Sequence, residues 1–283
     1  MSAGGDSSPL FLLTDNGSIR ASSALALRSA AEELATRTGQ QVEAASLAHC
    51  NRIPQEQLGG IPALRLRDHL LSGEVQDDRR VVILPYFLAK GGAIAQLLDK
   101  ALAEICKERP SLVVHTAPFL FEETGPDQEI LARACAARIE ELMKPTDTTP
   151  PSIILVDHGS PYPIAAQIRN FVAAQVQAFL HDRVRCVLPA SMERREGTQY
   201  DFTAPLLADA LRRPELHSNP LILCYFFLLP GRHAGEGGDV ADIIAAARQE
   251  FPDLDIRATR LLGDHPLILE ALTKRIHTAC RNG

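Results

Sequence analysis

Ile153-Ile154-Leu155-Val156-Asp157-His158-Gly159-Ser160 is a short apolar run closing on an acid, a histidine and a glycine turn, and the chain contains this pattern twice. Leu10-Phe11-Leu12-Leu13 leads in the same way towards Asp15-Asn16-Gly17-Ser18, and the two turns lie 142 residues apart. An apolar run bounded by turn residues reads as a buried strand. Each copy therefore opens with a strand whose carboxyl end carries Asp-x-Gly-Ser. The same offset of 142 sets Val42 against Val184 in a second pair of runs. An offset of 140 sets Phe87-Leu88-Ala89-Lys90-Gly91 against Phe227-Leu228-Leu229-Pro230-Gly231. Two offsets so close, sustained over a domain's length, mark a duplication with small insertions.

Working outward, the strand candidates are 10–13, 42–47, 81–87 and 112–117, then 153–156, 184–188, 221–227 and 254–259. Segments of helical period lie between them, at 23–36, 95–108, 129–143, 165–180, 240–251 and 267–278. Strands without apolar–polar alternation, separated by helices, predict parallel sheets covered by helices. The fold class is α/β, as two tandem pseudo-symmetric domains, each a parallel sheet flanked by helices. The seam falls at Lys144 to Pro151, a stiff stretch rich in Pro and Thr. The domains are accordingly expected at 1–145 and 151–283.

A chain of 283 residues suits one large domain or two that each bury a core. Pro and Gly are 37 of those residues, too few for a collagen-like or disordered chain. With 29 basic against 35 acidic side chains, the net charge of -6 argues against a nucleic-acid partner. The cysteines, Cys50, Cys106, Cys135, Cys186, Cys224 and Cys280, are scattered without a C-x-x-C pair, which points to a reduced, cytoplasmic setting. No basic residue precedes the first apolar run, so the start does not read as a signal peptide. The longest uncharged apolar stretch, 220–231, is shorter than the ~20 residues of a membrane helix.

Loops leaving the carboxyl ends of parallel strands share one sheet edge, where ligands bind. His158 follows the first strand of the second half, Glu193 the second and His233 the third. In the first half the offsets match them with Asn16, Asn51 and Ala93. The second half is thus chemically equipped and the first is a degenerate copy. Two imidazoles and a carboxylate suit Co²⁺, Fe²⁺, Ni²⁺ or Zn²⁺, and they also accept protons near neutral pH. Two rival readings are weaker. The glycines at 231, 235, 237 and 238 would cradle an anion, but neither G-x-G-x-x-G after the first strand nor a Walker lysine is present. Ser160 beside His158 would suit a hydrolase, but G-x-S-x-G is absent. His49, His69, His115, His181, His217, His265 and His277 read as surface or capping residues, with His265 in a conspicuous turn, Gly263-Asp264-His265-Pro266. Asp239 and Asp242 open the helix after His233 and suit its N-terminus.

Together, His158-Gly159-Ser160, the run Phe227-Leu228-Leu229-Pro230-Gly231-Arg232-His233 and Leu262-Gly263-Asp264-His265-Pro266-Leu267 resemble the class II chelatases, in particular the sirohydrochlorin cobaltochelatase and ferrochelatase group. The resemblance implies two chelatase-like domains with a cleft between them that holds a tetrapyrrole. It implies insertion of Co²⁺ or Fe²⁺ into sirohydrochlorin, in cobalamin or siroheme formation, with His158 and His233 as metal-binding and proton-accepting pair; Glu193 joins them as a catalytic candidate from its place on the same edge. No cofactor is implied beyond the substrate metal ion, whether Co²⁺, Fe²⁺ or Ni²⁺. Asn16 and Ala93 depart from the family's histidines, so one of the two pseudo-symmetric sites is expected to work. Arg194, Arg195 and Arg232 lie on the ligand loops and suit bidentate carboxylate binding. Ser160 completes the substrate-binding set on that side, with Lys90 and Arg20 from the other half. The expected partners are a sirohydrochlorin-like tetrapyrrole and a divalent metal, with neither nucleic acid nor membrane, and fusion of the halves makes a monomer sufficient. A non-catalytic tetrapyrrole or metal carrier, or a chelatase for another tetrapyrrole, are the alternatives.

Overall fold

The structure, a computed structural model, describes residues 8–88, 92–121, 127–217, 220–235 and 237–281. One sheet contains β1 (Leu10–Asp15), β2 (Val42–Ser46), β3 (Leu64–Arg65), β4 (Val81–Pro85) and β5 (Val114–Thr116), in the order β3-β2-β1-β4-β5. The other contains β6 (Ser152–Asp157), β7 (Cys186–Ser191), β8 (Leu221–Tyr225) and β9 (Ile256–Ala258), in the order β7-β6-β8-β9. Every neighbouring pair is parallel. The helices are α1 (Ala21–Thr38), α2 (Leu66–Leu71), α3 (Ala93–Glu108), α4 (Ile130–Glu140), α5 (Pro163–Leu180), α6 (Leu207–Leu211), α7 (Asp239–Glu250) and α8 (Pro266–Arg281). None of the helices is long and apolar enough, over the described residues, to cross a membrane.

The eight strands and six helices read from the sequence are all present, with ends shifted by a few residues. The central strands β1, β4, β6 and β8 are buried along their whole length. That explains the missing apolar–polar alternation: both faces of these strands are covered. No sequence pattern marks β3, α2 and α6, which are too short to show a period.

Strand register corrects one pairing. Val42 lies opposite Phe11, and Val187 lies opposite Ile153, so the counterpart of Val42 is Val187 and not Val184. Three extra residues precede β7, at the 3-10 turn His181–Arg183. Strand-forming residues occupy both positions, so apolar pattern alone could not locate the insertion.

The chain divides into two compact units, Met1–Asp127 with Leu269–Gly283, and Gln128–Ile268. This division differs from the expected 1–145 and 151–283, because the segments that end each repeat belong to the other unit. In the second unit, Cys135 of α4 meets Cys224 of β8, and burial pushes its thiol well up. Arg138 of α4, 2% exposed, donates to the Leu261 carbonyl at 3.2 Å and pairs with Glu141 and Asp264. In the first unit, Arg275 of α8 donates to the Phe119 carbonyl at 2.8 Å, and Arg80 donates to the Ala279 carbonyl at 3.0 Å.

The sequence seam at 144–151 is pinned. Arg257 binds Asp147 through both terminal nitrogens at 2.7 Å, holding that carboxyl down at about 2, and the Lys144 N–H adds a bond at 2.9 Å.

The second unit's core gathers Ile154, Val156, Leu221, Leu223, Tyr225, Val240 and Ile244, all at most 5% exposed. Burying each large apolar side chain stabilises by roughly 1.5–3 kcal/mol. The strand ends that carry the loops are therefore rigid supports.

Candidate functional site

From β6 the chain passes to β7 on one side and then to β8 on the other. Loops at such a reversal diverge and leave a crevice at the carboxyl edge of the sheet. His158, Glu193 and His233 all stand on that edge. The imidazoles of His158 and His233 have centroids 4.3 Å apart at an interplanar angle of 78°. His158 Nε2 lies 3.5 Å from Glu193 Oε1. Three side chains spread over 75 residues of sequence thus form one group.

Backbone packing brings the first two together. Gly159 has φ +94°, and a β-carbon there would lie 1.8 Å from the Glu193 carbonyl oxygen. Only glycine permits that approach. The Glu193 N–H then donates to the His158 carbonyl at 3.2 Å, and the Met192 N–H to that of Asp157 at 2.8 Å.

A buried network underlies this loop pair. Ser191 Oγ donates to Asp157 Oδ1 at 2.6 Å. Arg169, fully buried, lies 3.5 Å from the same oxygen, hydrogen-bonds to Ser191 Oγ and donates to the Thr203 carbonyl at 2.9 Å. Burial raises the Asp157 carboxyl and the Arg169 guanidinium opposes that shift. The residues flanking two of the three ligand candidates are thereby locked by charge-assisted bonds.

His233 is held differently. Its connection, residues 226–238 between β8 and α7, has 13 residues where 86–92 in the first unit has seven. Its carbonyl accepts the Val240 N–H at 3.1 Å, and its Nδ1 lies 2.6 Å from Asp239 Oδ2. Asp239, assigned from its position to the helix N-terminus, is therefore a histidine partner. A spacing of six residues across a loop carries no periodic signal that would have revealed this contact.

The comparison with the degenerate copy changes accordingly. A β-carbon on Gly17 would lie 1.8 Å from the Ala48 carbonyl oxygen, and the Ala48 N–H donates to Asn16. Ala48, not Asn51, therefore stands where Glu193 stands. Ala93 is the first residue of α3, the position Asp239 holds in α7. His233 lies in the connection that is six residues longer than its sister. Asp15 repeats Asp157, with Ser46 as its hydroxyl partner, but Leu27 replaces the arginine at the 142-residue offset. One Asp15 oxygen, Oδ1, has no hydrogen-bond partner among the described residues, and burial raises its carboxyl.

Electrostatics favour neutral His158. Its side chain is 46% exposed, and partial burial together with the adjacent His233 lowers its proton affinity against the pull of Glu193. A neutral imidazole keeps a lone pair for a metal. Among the described residues, no three His, Cys, Asp or Glu side chains form a ready metal cage. The pair with its neighbouring carboxylate is an open arrangement, suited to an ion that must be passed on.

The remaining candidates divide. Arg232 is 78% exposed, with Nε 3.8 Å from Asp239, and Arg195 is exposed. Arg194 is ion-paired with Asp201. Ser160 Oγ accepts the Tyr162 N–H at 3.2 Å, as Ser18 Oγ accepts the Arg20 N–H at 3.1 Å, so this serine shapes the turn in both copies. Lys90 lies outside the described residues, and Arg20 belongs to the first unit. His265 is buried, and its Nδ1 accepts the Leu267 N–H at 3.2 Å at the start of α8. Burial and the nearby Arg138 lower its proton affinity.

The family model CbiX matches residues 152–279, the segment carrying His158, Glu193 and His233. A chloroplastic sirohydrochlorin ferrochelatase of Arabidopsis thaliana is 28% identical over 144 residues, which cover 50% of this chain and 58% of that protein. Among solved structures, SirB from Bacillus subtilis with Fe³⁺ superposes with a TM-score of 0.67 at 12% identity, covering 97% of this chain and 96% of that one. A multi-domain protein of Deinococcus radiodurans, described as similar to chelatases with two additional novel domains, gives 0.60 at 17% identity, over 95% of this chain and 55% of that one. The chain shares the fold of these structures, and the CbiX model covers less than half of it. Its CbiX match is confined to the second half.

Proposed function

We propose that this protein inserts a divalent metal ion, Co²⁺ or Fe²⁺, into sirohydrochlorin, on the way to a cobalamin precursor or to siroheme. The observation that carries the reading is the apposition of His158 and His233, 4.3 Å between ring centroids, with Glu193 beside them at the strand reversal. In the reaction, M²⁺ replaces two pyrrole protons and two H⁺ leave. His233 has Nδ1 engaged by Asp239 and offers Nε2. Neutral His158 supplies a second lone pair. Glu193, 54% exposed and next to His158, accepts a departing proton and passes it to solvent. The ion supplies positive charge that favours ring deprotonation as it enters.

The substrate's carboxylates need local cations on an acidic chain. Arg195 and Arg232, exposed on the ligand loops, supply them by bidentate binding, and Arg194 joins them if it leaves Asp201. The relative named as a ferrochelatase and the structure solved with Fe³⁺ support iron. The donor set itself follows the general affinity order and does not separate iron from cobalt or nickel. The test is incubation of purified protein with sirohydrochlorin and equal Co²⁺, Fe²⁺ and Ni²⁺, followed by absorbance. Product well above one equivalent per protein supports an enzyme, and product that stops at one equivalent identifies a carrier.

A further inference from the structure

We propose that Asp239 is a positioning residue of the metal site, accepting the Nδ1–H of His233 and so fixing the tautomer whose Nε2 lone pair is free for the ion. The inference rests on the chelatase reading and concerns how one of its ligands is prepared. Three observations carry it. The carboxylate oxygen lies 2.6 Å from Nδ1, a short charge-assisted distance, whereas Arg232 Nε is 3.8 Å from the same oxygen. The His233 main chain is held independently, through the Val240 N–H, so the carboxylate's contribution is to the ring. His158 directly follows β6, whereas His233 lies eight residues beyond the end of β8, on a loop six residues longer than its sister connection. A ring on such a loop needs a second anchor.

Metal-bound histidines generally donate their other ring N–H to a carboxylate or carbonyl, and loss of that partner weakens metal binding by roughly 10–100-fold. His158 has a different environment, with Nε2 near Glu193 and a backbone hydrogen bond to Gly159. The structure thereby distinguishes the two imidazoles: His233 has a carboxylate behind it, and His158 has one at its side.

The competing account is that Asp239 only stabilises the N-terminus of α7. Asp242 is exposed in the same first turn and controls for this. Co²⁺ is titrated into the apoprotein and followed by its visible absorption, for wild type and for Asp239→Ala, Asp242→Ala and His233→Ala. The proposal expects Asp239→Ala to raise the Co²⁺ Kd about 10–100-fold, and Asp242→Ala to leave it unchanged. ¹⁵N spectra of the histidine rings add a readout that a structural role does not move. Wild-type His233 should carry its proton on Nδ1, and Asp239→Ala should lose that preference. An Nε2–H tautomer in the wild type overturns the proposal even if the variant fails to fold. Equal losses in the two aspartate variants overturn it as well. Unchanged Co²⁺ binding in Asp239→Ala, with binding lost in His233→Ala, overturns it while leaving the chelatase reading intact. Wild-type binding in His233→Ala sinks that reading itself.

Discussion

The carbonyl oxygen of Glu193 occupies the space a β-carbon on residue 159 would need, 1.8 Å away, and Gly159 stands there at φ +94°. The loop after β6 and the loop after β7 touch at this point. The separation of His158 from Glu193 is set by the absence of a side chain.

Gly159→Ala should therefore push the loops apart. The positive φ alone costs about 1–2 kcal/mol, and a displacement near 1 Å at a reacting group costs activity up to about 100-fold. Gly17→Ala, against Ala48 at the same 1.8 Å, should lose similar stability with Co²⁺ binding unchanged. Melting curves and Co²⁺ titration of both variants check this. Equal effects on Co²⁺ binding would contradict it.

Glu193→Gln keeps shape and removes the proposed proton acceptor. Co²⁺ binding should change by no more than a few-fold, while turnover with sirohydrochlorin falls by about 100-fold, the low end for general-base loss. Stopped-flow absorbance against equilibrium titration separates the two effects. Weakened binding with normal turnover would make Glu193 a ligand only.

Arg169→Leu gives the second unit the residue its sister has at position 27. Asp157 would be left buried without its cation, a change that costs about 3–5 kcal/mol. Adding Asp157→Asn should recover part of the loss. Urea midpoints of the single and double variants test this, and a neutral single variant would refute it.

Asp15 predicts a pH dependence. Burial raises its folded-state value above 3.8, so between 3.8 and that value the native state binds more protons than the unfolded state. Stability contributed by this group falls as pH rises through that window, and is not lost on acidification. Asp15→Asn should raise Tm more at pH 7 than at pH 4. An equal gain at both would show that the carboxyl does not titrate this way.

Much of this was legible in the chain because buried parallel strands write themselves as unbroken apolar runs between turns. The Asp-x-Gly-Ser repeat located both strand ends, and parallel topology then put His158, Glu193 and His233 on one edge. Register was not legible. Val184 and Val187 are equally strand-like, so the three-residue insertion before β7 was invisible and Glu193 was matched with Asn51 in place of Ala48. The Asp239–His233 bond was hidden because it depends on a long loop folding back onto its own helix. Ser160 looked chemical in sequence, whereas His265 read as a surface or capping residue. Each uses a side-chain acceptor to satisfy a backbone N–H at a helix entry, one at α5 and the other at α8.

The central claim is that His158 and His233 together deliver the metal, and it is tested most directly by the insertion rate of the His158→Ala, His233→Ala double variant. Sirohydrochlorin and Co²⁺ or Fe²⁺ are mixed with enzyme and the product absorbance is followed. The rate should fall to the uncatalysed background while the fold, checked by circular dichroism, is retained. Insertion at the wild-type rate would contradict the account.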